Sequence, residues 1–264
     1  MRAVSLHSDV IVLTSRVWQT NCTLVRGSEG EPGAEAFVVD SPVFPDELEV
    51  LPAVMAQAGF TPSGLLCTHG DWDHLLGRLA FPDGALGCAE TTAARLAAEP
   101  GRAQRELRDF DDSHYVKRAR PLTLGSVQAL PVPGGCGLGA AELELHPAGG
   151  HTAEGMALVV PWAGVLIAGD YLSAVEIPVL GRGGSAGEYR ATLERLRGLV
   201  NRAEQVVPGH GPVLSRARAL QLLEADADYL SRLVVQGASA ALPADRRTGE
   251  QRRLHVANAA LVAR

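Results

Sequence analysis

Lysine is almost missing from this chain: Lys117 is the single one among 24 basic residues, so the positive charge is nearly all arginine. With alanine and glycine abundant, this reads as genome composition rather than function. Basic residues are also outnumbered by 30 acidic ones, and the net charge of −6 argues against a general nucleic-acid binder, which would normally show a basic face. Cysteine is sparse. Cys22, Cys67, Cys88 and Cys136 lie far apart and form no C-x-x-C pair, which favours reduced thiols over a disulfide framework. No apolar core follows Met1-Arg2-Ala3-Val4 as in a secretion signal, and no stretch is long enough to span a bilayer, so the expected location is cytoplasmic. The Asn21-Cys22-Thr23 acceptor triplet carries no weight without export. Repeats and low-complexity segments are missing too.

What is present describes an ordinary globular chain: 264 residues, 46% hydrophobic and 20% charged. That length suffices for a sizeable core. No linker interrupts it, so one domain over residues 1–264 is expected, with a helical extension at about 241–264. Apolar runs at 10–13, 20–25 and 36–40 read as strands, with a turn-rich connection at 27–33. Helical spacing of Leu48, Leu51, Val54 and Met55 predicts a helix over about 46–58. A short helix, a strand near 85–88 and a helix near 91–98 follow, and the charged stretch 102–120 is expected to be partly helical. Strands are expected at 127–130 and 141–146, either side of a glycine cluster at 133–139 that reads as a mobile hairpin. It is no phosphate loop, since neither a helix start nor Lys-Ser/Thr follows. Runs at 156–160 and 164–168 form a hairpin around Pro161-Trp162-Ala163. A loop at 181–187, a helix over 188–199, a strand at 205–207, a long helix capped by Ser215 and a terminal helix from Thr248 complete the chain. Early strands followed by a mixture of strands and helices imply an α/β chain with two sheets and helices on the outer faces.

The stretch Thr68-His69-Gly70-Asp71-Trp72-Asp73-His74 organises the rest. It follows the apolar run Leu65-Leu66-Cys67 and puts two imidazoles and two carboxylates within six positions. Carboxylates so close raise one another's pKa, and a bound cation is the simplest neutraliser. Three further places repeat an apolar strand followed by glycine and a ligand: Gly149-Gly150-His151-Thr152, Ala168-Gly169-Asp170-Tyr171 and Pro208-Gly209-His210-Gly211. Strands ending on one edge of a sandwich would gather His69, Asp71, Asp73, His74, His151, Asp170 and His210. Seven donors exceed one tetrahedral zinc but suit two metals sharing a bridging carboxylate.

These four segments, in this order from about Asn21 to Pro212, resemble the metallo-β-lactamase-fold hydrolase superfamily, in particular its glyoxalase-II-like branch. The resemblance implies a four-layer αββα sandwich. It places His69, residue 71 and His151 on one divalent metal, and Asp73, His74 and His210 on the other, with Asp170 bridging. It also implies a metal-held hydroxide as nucleophile, oriented by Asp73 as the catalytic carboxylate.

The resemblance breaks at residue 71, where the family pattern has histidine and this chain has Asp71. The extra carboxylate lowers the formal charge of the centre by one unit, which makes bound water less acidic and favours Mn or Fe relative to Zn. Zinc remains the first expectation. An aspartate is also shorter than a histidine. Three outcomes stay open: the loop moves inward, Asp71 binds through water, or the first metal is weak and the site mononuclear.

The expected function is hydrolysis of a small-molecule thioester, ester or lactone. A di-iron redox protein of the flavodiiron type is the alternative, although the chain has no room for the flavodoxin domain of those proteins. A non-enzymatic binding role with a site degraded by Asp71 is the third. Antibiotic hydrolysis is disfavoured because the Asp73-His74 pair differs from the D-x-C pattern of those enzymes. Glutathione thioesters are disfavoured because only about fifty residues follow Pro212. The partner is thus expected to be a small molecule, without nucleic acid or membrane, and a dimer is compatible with the chain. His7, His114, His146 and His255 are read as structural or solvated, and the arginines of 117–120, 246–247 and 252–253 as solvated faces. Trp72 and Tyr171 are left even between facing the pocket and packing beneath it.

Overall fold

The computed structural model describes residues 1–27 and 34–263, so most of the turn expected at 27–33 lies outside the described residues. Two β-sheets face each other. The first runs in the order β1 (Arg2–His7), β2 (Val10–Thr14), β3 (Asn21–Arg26), β4 (Ala34–Val39), β5 (Phe60–Leu66), β6 (Leu86–Ala89), β7 (Val127–Leu130). Its first four strands are antiparallel, and β4 to β7 are parallel. The second runs in the order β13 (Leu214–Ser215), β12 (Gln205–Pro208), β11 (Val165–Gly169), β10 (Met156–Val160), β9 (Ala141–Pro147), β8 (Gly134–Leu138).

Period-2 alternation of fully apolar strands builds the layers. Along β10, Met156, Leu158 and Val160 point into the space between the sheets, while Ala157 and Val159 point to the outer helices. Along β2, Val10 and Val12 face the second sheet and Ile11 and Leu13 face outward. The outer face of the first sheet is covered by α1 (Pro45–Glu49), α2 (Leu51–Gln57) and α5 (Arg102–His114), with α3 (Gly77–Ala80) and α4 (Glu90–Ala98) at its side. The outer face of the second is covered by α6 (Ala186–Arg202), α7 (Arg216–Gln236) and α8 (Gly249–Val262). Three apolar clusters between four layers make the αββα sandwich.

Several local expectations are corrected. The helix expected over 46–58 is two, α1 and α2, because Pro52 in the first turn of α2 has no N–H and crowds the carbonyl four residues back. The glycine cluster is strand β8, antiparallel to β9, and β7 lies in the other sheet, so the two strands flanking it are not partners. Arg118 is no solvated residue: its guanidinium grips Asp111 at 2.8 Å. Arg246 is buried on Asp226 at 2.7 Å and also donates to the carbonyls of Ser173 and Glu176.

Strand direction positions the site. Because β9 and β11 are both antiparallel to β10, and β12 is parallel to β11, the carboxyl ends of β9, β11 and β12 share one edge. The carboxyl ends of β4 and β5 meet them there. Asn21, at the start of β3, latches the two sheets by donating its side-chain amide to the carbonyls of Pro208 and Gly211, each at 2.8 Å.

Candidate metal centre

Each of the seven side chains sits just past a strand on that edge. His69, Asp71, Asp73 and His74 follow β5, with Trp72–His74 forming one turn of 3-10 helix. His151 follows β9, Asp170 follows β11 and His210 follows β12. Glycine allows the approach at two places. Gly150 has φ +117° and its α-carbon lies so near the Tyr189 backbone that a Cβ would stand 2.2 Å from that nitrogen. A Cβ on Gly209 would lie 2.0 Å from Oδ1 of Asp170, so any side chain there would displace the central carboxylate.

Three groups of donors converge. His69, Asp71 and His151 form one; Asp73, His74 and His210 form another; His69, His74 and Asp170 form the third, with all donor atoms of a group within 4.8 Å of one another. In the first group Oδ2 of Asp71 is 3.7 Å from His69 Nε2 and 3.4 Å from His151 Nε2. In the second, Oδ2 of Asp73 is 3.6 Å from His74 Nε2 and 3.5 Å from His210 Nε2. Asp170 stands between them: Oδ1 is 3.3 Å from His74 Nε2, and Oδ2 is 3.7, 3.3 and 3.4 Å from the Nε2 atoms of His69, His151 and His210.

These separations are long for hydrogen bonds. They match the spacing of about 3.4 Å between neighbouring ligands set tetrahedrally around one ion at 2.0–2.1 Å. Among the described residues, His69 Nε2, His74 Nε2, His151 Nε2 and Asp170 Oδ1 are buried without a hydrogen-bond partner. Buried polar atoms are ordinarily satisfied. A divalent cation in each of the first two groups, with Asp170 shared between them, would satisfy all of them, so the donor set fits two metals.

The outward nitrogens fix the imidazoles. His69 Nδ1 lies 3.1 Å from Thr68 Oγ1, and His151 Nδ1 lies 2.9 Å from the Val179 carbonyl. His210 Nδ1 is 3.3 Å from both Thr20 Oγ1 and the Trp18 carbonyl. His74 Nδ1 lies 3.1 Å from Oδ2 of Asp40. An Nδ1 proton given outward leaves Nε2 as the inward donor in His69, His151 and His210, and in His74 the Asp40 carboxylate faces Nδ1 without a hydrogen bond.

Electrostatics follow from the crowding. Burial would lower the imidazolium pKa values, but the carboxylates win. Asp170, Asp40 and Asp73 hold His74 well above its ordinary value, Asp170 and Asp71 take His151 to about 9, and Asp170 with Glu176 and Asp73 takes His210 to about 10. Burial would raise Asp71 and Asp170. The histidines beside them overcome it and hold both well below the usual carboxylate range. Without metal, then, protons occupy the place of the cations.

Sequence reading missed Asp40. It ends β4 with φ +57°, accepts from Thr68 N at 2.8 Å and Thr68 Oγ1 at 2.9 Å, and thereby ties the loop holding His69 to His74. Its signal was available, since it too is an acid closing an apolar strand. Asp40→Ala is expected to weaken metal binding about 10- to 100-fold, as loss of an outer partner does, measured by calorimetric titration. Unaltered affinity would remove Asp40 from the centre. Arg95 and Glu154 were missed as well: Arg95 bridges Asp71 Oδ1 at 2.7 Å and Glu154 Oε1 at 2.5 Å.

The undecided residues are now placed. Tyr171 is buried beneath the site; its hydroxyl donates to the Gly149 carbonyl at 2.6 Å and accepts from His151 N at 3.0 Å. Trp72 is half-buried and meets Phe110 at 5.0 Å and Trp18 at 5.7 Å between ring centres. His7, His114, His146 and His255 lie outside the donor groups. His255 is buried against the Tyr229 hydroxyl.

The family model of the metallo-beta-lactamase superfamily matches residues 15–210, and the chain belongs to that superfamily. A metallo-beta-lactamase family protein from Thermus thermophilus superposes with a TM-score of 0.69 at 21% identity, covering 98% of this chain and 93% of its own. A metallo-beta-lactamase from Pontibacter korlensis superposes with a TM-score of 0.61 at 19% identity, covering 84% and 98%. The protein TTHA1623, solved in a di-iron-bound form, gives 0.60 at 22% identity, covering 80% and 97%. Identities of this size show a shared fold. No curated protein matches the chain in sequence. Among the described residues no helix is long and apolar enough to cross a membrane.

Proposed function

We propose that the chain is a metal-dependent hydrolase that cleaves a small-molecule thioester, ester or lactone. One observation carries this reading: four imidazoles turn Nε2 inward on a central carboxylate, their outer nitrogens held, with buried donor atoms left unpartnered. A pair of divalent cations held by these residues would supply Lewis acidity and a bound water of lowered pKa. The chain does the rest. Asp73, between His74 and His210, is placed to orient that water and to hold its proton. Trp18, whose carbonyl meets His210, and Trp72, between Asp71 and Asp73, offer apolar surface for the substrate's acyl part. Zinc suits the four imidazoles, and the oxygen of Asp71 leaves room for iron or manganese.

Protein purified without chelator is expected to carry up to two divalent metals per chain and to hydrolyse members of a panel of thioesters, aryl esters and lactones. Metal-replete protein inert toward the whole panel would sink the hydrolase reading. Two irons with an oxo-bridge absorption and no turnover would instead support the redox alternative, for which the Asp71 oxygen is the one observation in this chain.

A further inference from the structure

The helix α4 lies outside the four loops that carry the donors, yet it reaches the centre through a single guanidinium. Arg95 Nη2 meets Oδ1 of Asp71 at 2.7 Å, while Arg95 Nη1 meets Oε1 of Glu154 at 2.5 Å. Glu154 is itself buried and knits two loops: it accepts from Gly70 N at 3.2 Å and Thr152 Oγ1 at 3.2 Å, and its other oxygen accepts from Thr92 Oγ1. Gly70 lies between His69 and Asp71, and Thr152 follows His151. One fork therefore holds both segments of the first donor group.

We propose that Arg95 is the positioning residue of that group: by occupying Oδ1 of Asp71 it presents Oδ2 alone, and Asp71 serves as a direct, single-oxygen metal ligand beside His69 and His151. This rests on the reading that the donor groups hold metal. The short reach of aspartate is answered by the geometry. Oδ2 of Asp71 stands 3.4 and 3.7 Å from its two imidazole nitrogens, the same spacing that Asp73 keeps from His74 and His210 at 3.6 and 3.5 Å. No water is needed to span a gap of that size. A free carboxylate could clasp one cation with both oxygens; a charge-assisted bond on Oδ1 disfavours this, because it fixes the carboxylate plane and draws Oδ1 toward the guanidinium.

Arg95 and Glu154 cancel as formal charges, so the guanidinium acts by direction rather than by neutralising the centre. Lysine could not copy it. An ammonium is a point donor, whereas the planar fork meets two carboxylates in fixed geometry.

The test uses Co(II) as probe, titrated calorimetrically and by visible absorption into metal-free full-length protein, Arg95→Gln and Arg95→Lys. The unaltered protein is expected to bind two equivalents. In Arg95→Gln one equivalent should weaken about 10- to 100-fold while the other holds within about twofold of the same scale. The visible band of the weakened equivalent should lose intensity as Asp71 swings to two-oxygen binding and the coordination number rises. Arg95→Lys keeps a positive charge against buried Glu154, so it reads the same one-site loss should the glutamine variant fail to fold. Equal weakening of both equivalents would mean a general loosening and overturn the proposal, as would two equivalents with unchanged affinity and spectrum. If the unaltered protein binds no Co(II), the metal-centre reading itself fails, a result distinct from either.

Discussion

Asp170→Asn is expected to bind at most one metal equivalent and to lose at least about 100-fold in turnover, a floor taken from the loss seen when outer partners alone are removed. Among the described residues, Asp170 is the one side chain within 3.7 Å of all four inward nitrogens. Its two oxygens divide the work, Oδ1 toward His74 and Oδ2 toward His69, His151 and His210. An amide keeps the shape but offers one neutral oxygen, so it cannot bridge two cations or offset their charge. Shape matters because Gly209 packs against that carboxylate at a distance where its own Cβ would collide. The asparagine variant should therefore fold, and circular dichroism of the metal-free protein checks that it does. Metal analysis and turnover on whichever ester or thioester the parent cleaves then read the effect. A variant retaining two tightly bound equivalents would remove Asp170 as the bridge.

The fold and the seven donors were legible because both depend on local pattern. Each donor follows a short apolar strand, and parallel crossovers bring carboxyl ends of strands to one edge. Asp40 also closes an apolar strand, but no glycine precedes it as one precedes His151, Asp170 and His210, so it falls outside that pattern. Arg95 could not be read at all. It sits in an alanine-rich amphipathic helix where an arginine ordinarily faces water, 24 residues from Asp71 and 59 from Glu154, and only tertiary packing joins them.

Other departures have equally specific causes. Strand β1 went unseen because Arg2–His7 lies at the sheet edge with both faces largely exposed, so no apolar alternation marks it. Strand β8 was hidden by glycine, which disfavours strands yet is required at its start: a Cβ on Gly134 would stand 2.4 Å from the Pro131 carbonyl oxygen. Arg246 read as surface because it lies in the loop before α8 while its partner Asp226 lies on α7, with no local sign of the pair.

Removing the metal is expected to reverse the pH dependence of stability. In metal-free protein His151 and His210 have pKa values of about 9 and about 10, and His74 lies well above its ordinary value. The same imidazoles titrate near 6.5 when unfolded. Between about pH 6.5 and 10 the folded chain then holds more protons than the unfolded one, so its stability falls as pH rises. The imidazole contribution is complete below about pH 6.5 and is lost as pH climbs through the folded values. Metal binding runs the other way, because each imidazole must give up its Nε2 proton to ligate, and affinity gains with pH over that window. The melting temperature of chelated protein should fall from pH 6.5 to 9.5, while the advantage of zinc-loaded protein widens. A thousandfold excess of metal over Kd stabilises by about 4 kcal/mol, and a chain of this size gains about 2–4 °C per kcal/mol. The gap should therefore reach roughly 10 °C at the alkaline end. Thermal unfolding across that range with and without zinc measures it, and calorimetry in two buffers of different ionisation heat counts the protons released. Parallel melting curves with no proton release would mean that these histidines bind no metal.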